Sequence, residues 1–177
     1  RCYKKILSNF FYAHKCIKNN HTLSEICGMM TGALCSSDEN KFKKFVELWD
    51  QEVSKQFDTD GGYRQKSFNY QLFALQLSEY ADLITHKTST KMSNGSRNRI
   101  IQSAMLMYSL QAEHGDVPNY GPNDGALIFP VSCCGYRDFT PVINTVVAQA
   151  HGNVIYVHGD HEEELLWFCG KKDYPQK

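Results

Sequence analysis

The stretch FKKFVELWDQEVSKQF, residues 42–57, sets the fold class. Phe42, Phe45, Val46, Trp49, Val53 and Phe57 recur at intervals of three and four, so an α-helix gathers them into one apolar stripe. The same period extends to both sides. Upstream, Tyr3, Ile6, Leu7, Phe10, Phe11, His14 and Ile17 predict an amphipathic helix. A second starts near Thr22 or Ser24, runs through Ile26, Met30 and Leu34, and ends at Ser36, Ser37 and Asp38.

Downstream, Asp60, Gly61 and Gly62 interrupt the pattern with a turn. Tyr70, Phe73, Leu77, Tyr80 and Ile84 then resume it, with Asn69 at a position suited to capping the helix. The polar run HKTSTKMSNGSRN (86–98) predicts a surface connection, and Ile100 through Leu110 a fifth helix ending near Gly115. Thr140 as N-cap and Pro141 as first residue start a sixth helix over 139–150. EEELLWFCG (162–170) is a short helix stopped by Gly170. Asn153 to His158 is the one stretch that reads as a strand. The sum is an all-α array of antiparallel helix hairpins forming a single helical domain over 1–177.

Composition agrees with a globular chain: 42% of residues are hydrophobic and 21% charged, which is enough apolar matter for a core. Nineteen basic against nineteen acidic residues leave no net charge to draw nucleic acid to the whole surface. No run approaches the roughly 18 apolar residues of a membrane span. Residue 1 is Arg, so the sequence is expected to continue upstream. The seven cysteines are odd in number, scattered and without CxxC spacing, which predicts buried free thiols rather than a disulfide framework or zinc site. HGDHEEE (158–164) lacks HExxH spacing and reads as a polar loop before a helix, so neither a metal nor a cofactor is expected.

One segment does not fit a plain helical array. DVPNYGPNDGALIFP, residues 116–130, places Asn119, Tyr120, Asn123 and Asp124 between two prolines, directly after a helix. Such residues suit any tight turn. They also present hydrogen-bonding groups to a ligand.

DGGYRQKSFNYQ (60–71), then HGDVPNYGPNDGALIFP (114–130), then EEELLWFCG resembles the heparinase II/III-like polysaccharide lyases in the order and spacing of all three blocks. The resemblance implies a partial (α/α) toroid followed by a large antiparallel β domain, with this chain a piece of the toroid and the β domain of the same parent absent. It implies an anionic polysaccharide as substrate and a periplasmic or cytoplasmic setting in a bacterium. The reaction is β-elimination next to a uronic acid: the proton α to the carboxylate is removed and the 4-linked oxygen leaves. Neutral amide donors stabilise the charge that builds on the carboxylate, and a Tyr takes the proton if its surroundings favour the phenolate.

Carried onto this sequence, the resemblance makes Asn69 the carboxylate contact and Tyr120 the base or acid. Many members follow the Asn with a His, where this chain has Tyr70 and Gln71, which shifts proton chemistry toward Tyr70. Gln71, Arg64, Asn119, Asn123, Asp124 and Arg137 complete the candidate substrate-binding set, the arginines because a guanidinium fork matches a carboxylate or sulfate. Each residue also has a structural alternative: Asn69 as a cap, Tyr63 and Tyr70 packed on the core, Tyr120 as a loop anchor. At the level of the whole chain, the alternative is a non-catalytic helical domain of an inactive relative, one that binds or scaffolds carbohydrate without cleaving it.

Overall fold

The period read around Trp49 is realised as α3, Glu39–Gln56, whose Phe42, Val46, Trp49 and Val53 are buried and whose first turn is capped by the Asp38 carboxylate accepting from Lys41 N. The computed structural model describes residues 1–157, 159–170 and 175. The other helices are α1 Cys2–Phe11, α2 Asn20–Cys35, α4 Phe68–His86, α5 Asn94–Leu110, α6 Thr140–His151 and α7 Glu162–Cys169. Among the described residues there is no strand; Phe57 and Tyr63 form an isolated antiparallel bridge.

The first predicted helix divides. After α1 the backbone loosens into a π-helical turn over Tyr12–Ile17, closed by Lys18 in the left-handed region. α1 has no buried residues of its own and leans on α2 through Ile6 and Tyr3, which fill the space that side chains at Gly28 and Gly32 would take. α2 and α3 pair as a hairpin, α5 packs on α3 and α6, and α7 folds back on α6.

α4 lies at the centre, against α2, α5, α6 and α7. Leu72, Ala74, Leu75, Leu77, Ala81 and Ile84 are all buried, and so are Asn69, Gln71, Gln76, Ser78, Glu79, Asp82 and Thr85. Each large apolar side chain so buried contributes about 1.5–3 kcal/mol. Each polar one must find a partner or cost roughly as much. Ser78 and Thr85 donate back to Ala74 O and Ala81 O, at 2.8 Å each, and Asp82 pairs with Arg97 of α5 at 2.7 Å.

Several boundaries differ from the sequence reading. Ser67, not Asn69, caps α4: its Oγ accepts from Tyr70 N at 3.2 Å, and Asn69 is already helical. α5 begins at Asn94 behind the Ser93 cap, which shortens the polar connection. Thr140 is the first residue of α6 rather than its cap, and the Asp138 carboxylate accepts from its N–H at 2.9 Å. Only Cys27 among the seven free thiols is buried; Cys2, Cys16, Cys35 and Cys133 are exposed.

Of the strand expected at 153–158, the described residues 153–157 form none, and His158 lies outside the described residues. Val154 N donates to Pro175 O at 2.9 Å, and the backbone that follows meets a side chain. Asn144, fully buried on α6, accepts from Ile155 N at 2.9 Å and Tyr156 N at 3.1 Å and donates to Tyr156 O at 2.9 Å. Asn144→Ala strands those three backbone groups, and a loss of about 2–4 kcal/mol is expected from the urea midpoint, with the helical circular dichroism retained.

Candidate functional site

The N-terminal turn of α4 and the 116–130 loop meet through three backbone-anchored contacts. Phe68 N donates to Tyr120 O at 3.1 Å, the Ser67 hydroxyl donates to Pro122 O at 2.5 Å, and the Phe68 and Tyr120 rings pack with centroids 5.2 Å apart. Gly121 makes this approach possible. It has φ +76°, and a Cβ there would collide with the Lys66 carbonyl and Ser67 Cα, so only glycine serves both demands. Beyond it the loop turns on its own side chains: Asn123 Oδ1 accepts from Gly125 N at 3.0 Å, and Asn123 Nδ2 donates to Asn119 Oδ1 at 2.8 Å.

Two neutral donors converge on one carboxylate. Asn69 Nδ2 donates to Asp124 Oδ1 at 3.3 Å, and the Tyr70 hydroxyl donates to Asp124 Oδ2 at 2.7 Å. Asp124 is exposed and is held below its ordinary carboxyl range, first by the Tyr70 hydroxyl and with help from Ala126 N–H and Asn69, so it is ionised at neutral pH. Tyr70 shifts the opposite way, upward, chiefly through the same hydrogen bond. It therefore stays a protonated donor, and a phenolate base at position 70 is disfavoured.

A crevice beside this pair is lined by Phe68, Asn69, Asn119, Asn123, Tyr136 and Arg137. Arg137 donates to Asp116 Oδ1 at 2.6 Å and to Val117 O at 2.9 Å, which fixes its fork at the crevice wall. Tyr120 is half exposed, its ring resting on Phe68 next to Asn69 rather than facing the crevice itself. Of the sequence candidates, then, Asn69, Tyr70, Asn119, Tyr120, Asn123, Asp124 and Arg137 gather in one place.

Two do not. Gln71 is one residue further along α4 and so points inward; it is buried, and its Nε2 donates to Gly61 O at 2.9 Å and Ser103 Oγ at 2.7 Å. That is a structural tie between α4, the preceding turn and α5. Arg64 is exposed in that turn and lies outside the crevice lining. Sequence reasoning missed Tyr136, half exposed at the crevice, and Gln76, whose side chain binds the far end of the loop; neither belongs to a motif. A wider hollow of ≈ 430 Å³, lined by Leu83, His86, Gln149, Trp167 and Phe168, holds none of the sequence candidates.

The model of one family, described as alginate lyase, matches residues 6–114. The match takes in Asn69 and Tyr70 and stops before the 116–130 loop. It supports the polysaccharide lyase class; the narrower heparinase II/III-like resemblance is not what it reports. No curated protein and no solved structure matches the chain.

Gly121→Ala is expected to lift the loop off α4. The measurement is limited proteolysis, with faster cleavage within 116–130, alongside a fall in stability of about 1–2 kcal/mol. Cleavage as slow as in the native chain would show that the loop is held by something else.

Proposed function

The chain belongs to the alginate lyase family, a family of polysaccharide lyases, and we propose that it cleaves uronic-acid-containing glycans by β-elimination at the crevice between α4 and the 116–130 loop. The observation that carries this reading is the pair of donors at Asn69 and Tyr70. Both are neutral, both aim at one carboxylate, and Asp124 occupies them from the protein's own surface. A uronate carboxylate offers the same two oxygens in the same planar geometry.

In the proposed reaction the substrate carboxylate replaces Asp124 on the Asn69 amide and the Tyr70 hydroxyl. Hydrogen bonds from neutral donors strengthen as negative charge moves onto that carboxylate, so they favour the enolate-like state over the ground state. Tyr120 takes the proton α to the carboxylate. The electron pair left behind forms the new carbon–carbon double bond, and the bond to the 4-linked oxygen breaks. That oxygen is protonated by Tyr120, which is returned to its phenolate, while Tyr70, held in its protonated form, stays on the carboxylate. Arg137 adds positive charge at the crevice wall, and Asn119 and Asn123 offer hydrogen bonds to sugar hydroxyls.

Alginate is itself a uronate polymer, and a uronate is also what the heparinase II/III-like loop motif implies; glycosaminoglycans are therefore within the proposed substrate range. The helical array is read as part of an (α/α) toroid on the same grounds. One observation favours a second reading, a domain that binds polysaccharide without cleaving it. Tyr70 and Gln71 stand where many such lyases have a His, and Asp124 raises rather than lowers the Tyr70 hydroxyl.

Turnover separates the two. Given alginate and a panel of glycosaminoglycans, the full-length parent, and not the 177-residue piece by itself, is expected to generate the ultraviolet absorbance of an unsaturated uronate. Asn69→Ala lowers kcat by about 100-fold or more, the scale of losing one charge-stabilising donor. Arg137→Ala raises KM more than it lowers kcat. Binding with no absorbance on any polymer selects the second reading, and absorbance indifferent to Asn69→Ala removes this crevice as the site.

A further inference from the structure

Glu79 of α4 and Glu164 of α7 are both buried, at 0% and 3% exposed, and their carboxyls are neighbours in the interior. Glu79 Oε1, Glu79 Oε2 and Glu164 Oε1 receive no hydrogen from any N–H or O–H among the described residues. Among the described residues, the groups facing the pair are Cys169 on α7, Gln76 on α4 and, across the adjoining cavity, Cys134, Tyr136 and Asp138; none is a cation. Two bare carboxylates cannot sit side by side in such a place, because like charges at short range in a dry interior repel strongly. One proton between them turns the acceptor pair into a donor and an acceptor.

Gln76 connects this pair to the candidate site. It lines the same cavity as Glu164 and faces its carboxyl. Its Oε1 accepts from Ile128 N at 3.1 Å and Phe129 N at 3.4 Å, and its Nε2 donates to Phe129 O at 3.2 Å. These bonds hold the foot of the loop whose other end carries Tyr120 and Asp124. The Phe129 ring is wedged between Tyr80 and Phe168, the latter on α7, at centroid distances of 5.4 and 5.6 Å. Whatever moves α7 or Gln76 therefore moves the loop.

We propose that Glu79 and Glu164 are positioning residues for the 116–130 loop: a shared proton joins their carboxyls, keeps Gln76 on the backbone of 128–129, and its loss frees the loop. The consequence for turnover rests on the function proposed above; the consequence for the loop does not. Burial raises both carboxyls, Glu79 well above the ordinary range with the neighbouring Glu164 as second cause, and Glu164 to about 7. A carboxyl raised by folding stabilises the fold fully at acid pH, and that contribution is lost as pH climbs through the folded value. The last proton of the pair leaves from Glu79, the higher of the two, so the loop is expected to loosen only on the alkaline side of the value of about 7 that belongs to Glu164.

Amide hydrogen exchange at Ile128 and Phe129, corrected for the intrinsic dependence on pH, tests this on the full chain. Protection is expected to fall tenfold or more between acid and alkaline conditions in the native protein. Glu79→Gln and Glu164→Gln, which supply a donor that does not titrate, are expected to hold it level. If lyase turnover is observed, kcat follows the same alkaline fall in the native chain and loses it in the Gln variants. Constant protection in the native protein overturns the proposal, and so does a Gln variant that folds and loses protection as the native chain does. Where a variant fails to fold, the native series alone decides. Absence of turnover on every polymer counts against the proposed function and leaves the exchange result to stand by itself.

Discussion

α4 has almost no face left for water. It is enclosed by α2, α5, α6, α7 and the 116–130 loop, yet just over half of its buried side chains are polar. A hydrogen-bonding group sealed in an interior without a partner costs about 1–3 kcal/mol, and a charge costs more. That constraint dictates what may lie beside each turn of the helix. Ser67 and Asn69 take the loop at Pro122 and Asp124; Gln71 takes Gly61 and Ser103; Gln76 takes the backbone at 128–129; Asp82 takes Arg97. The loop is ordered by this central helix from both of its ends, although it has no regular structure of its own.

The candidate site follows from that arrangement. A carboxylate-binding pair placed on a rigid, buried helix keeps its geometry better than one placed on a mobile loop, and the loop brings only groups that tolerate some freedom. Asn69 and Tyr70 are adjacent in the first turn of α4, and both reach Asp124. Asp124 fills their donors while no ligand is present, so the pair is never left bare. In the proposed lyase this makes substrate binding an exchange of one carboxylate for another. The family match covers the helix half of the site and ends before the loop half.

The helices were legible because their period is local. Phe42, Val46, Trp49 and Val53, or Leu77 and Ile84, mark a stripe whatever the helix packs against. The end points were less so. Asn69 has the chemistry of a cap, but Ser67 was the residue left outside the helix with its side chain free to reach Tyr70 N. Thr140 was likewise displaced as the cap by the Asp138 carboxylate. At 153–157 the β-like composition was real, and the buried Asn144 amide took the backbone bonds that a neighbouring strand would have used.

What the sequence determined by itself is what short-range chemistry controls: the helical class, the broken turn at Asp60 to Gly62, and the polar, proline-bounded loop with its Asn, Tyr and Asp. Tertiary structure decided which of those groups meet. Asn69 and Gln71 are two positions apart and both amides, yet the helical twist sends one to the loop and the other into the core. Glu79 and Glu164 carry no mark in the sequence at all, being two acids in ordinary helical stretches until packing removes the water between them. Pairings of that kind depend on which helix lies beside which. No local pattern encodes this, because it is settled only when the whole set of apolar stripes finds a common interior.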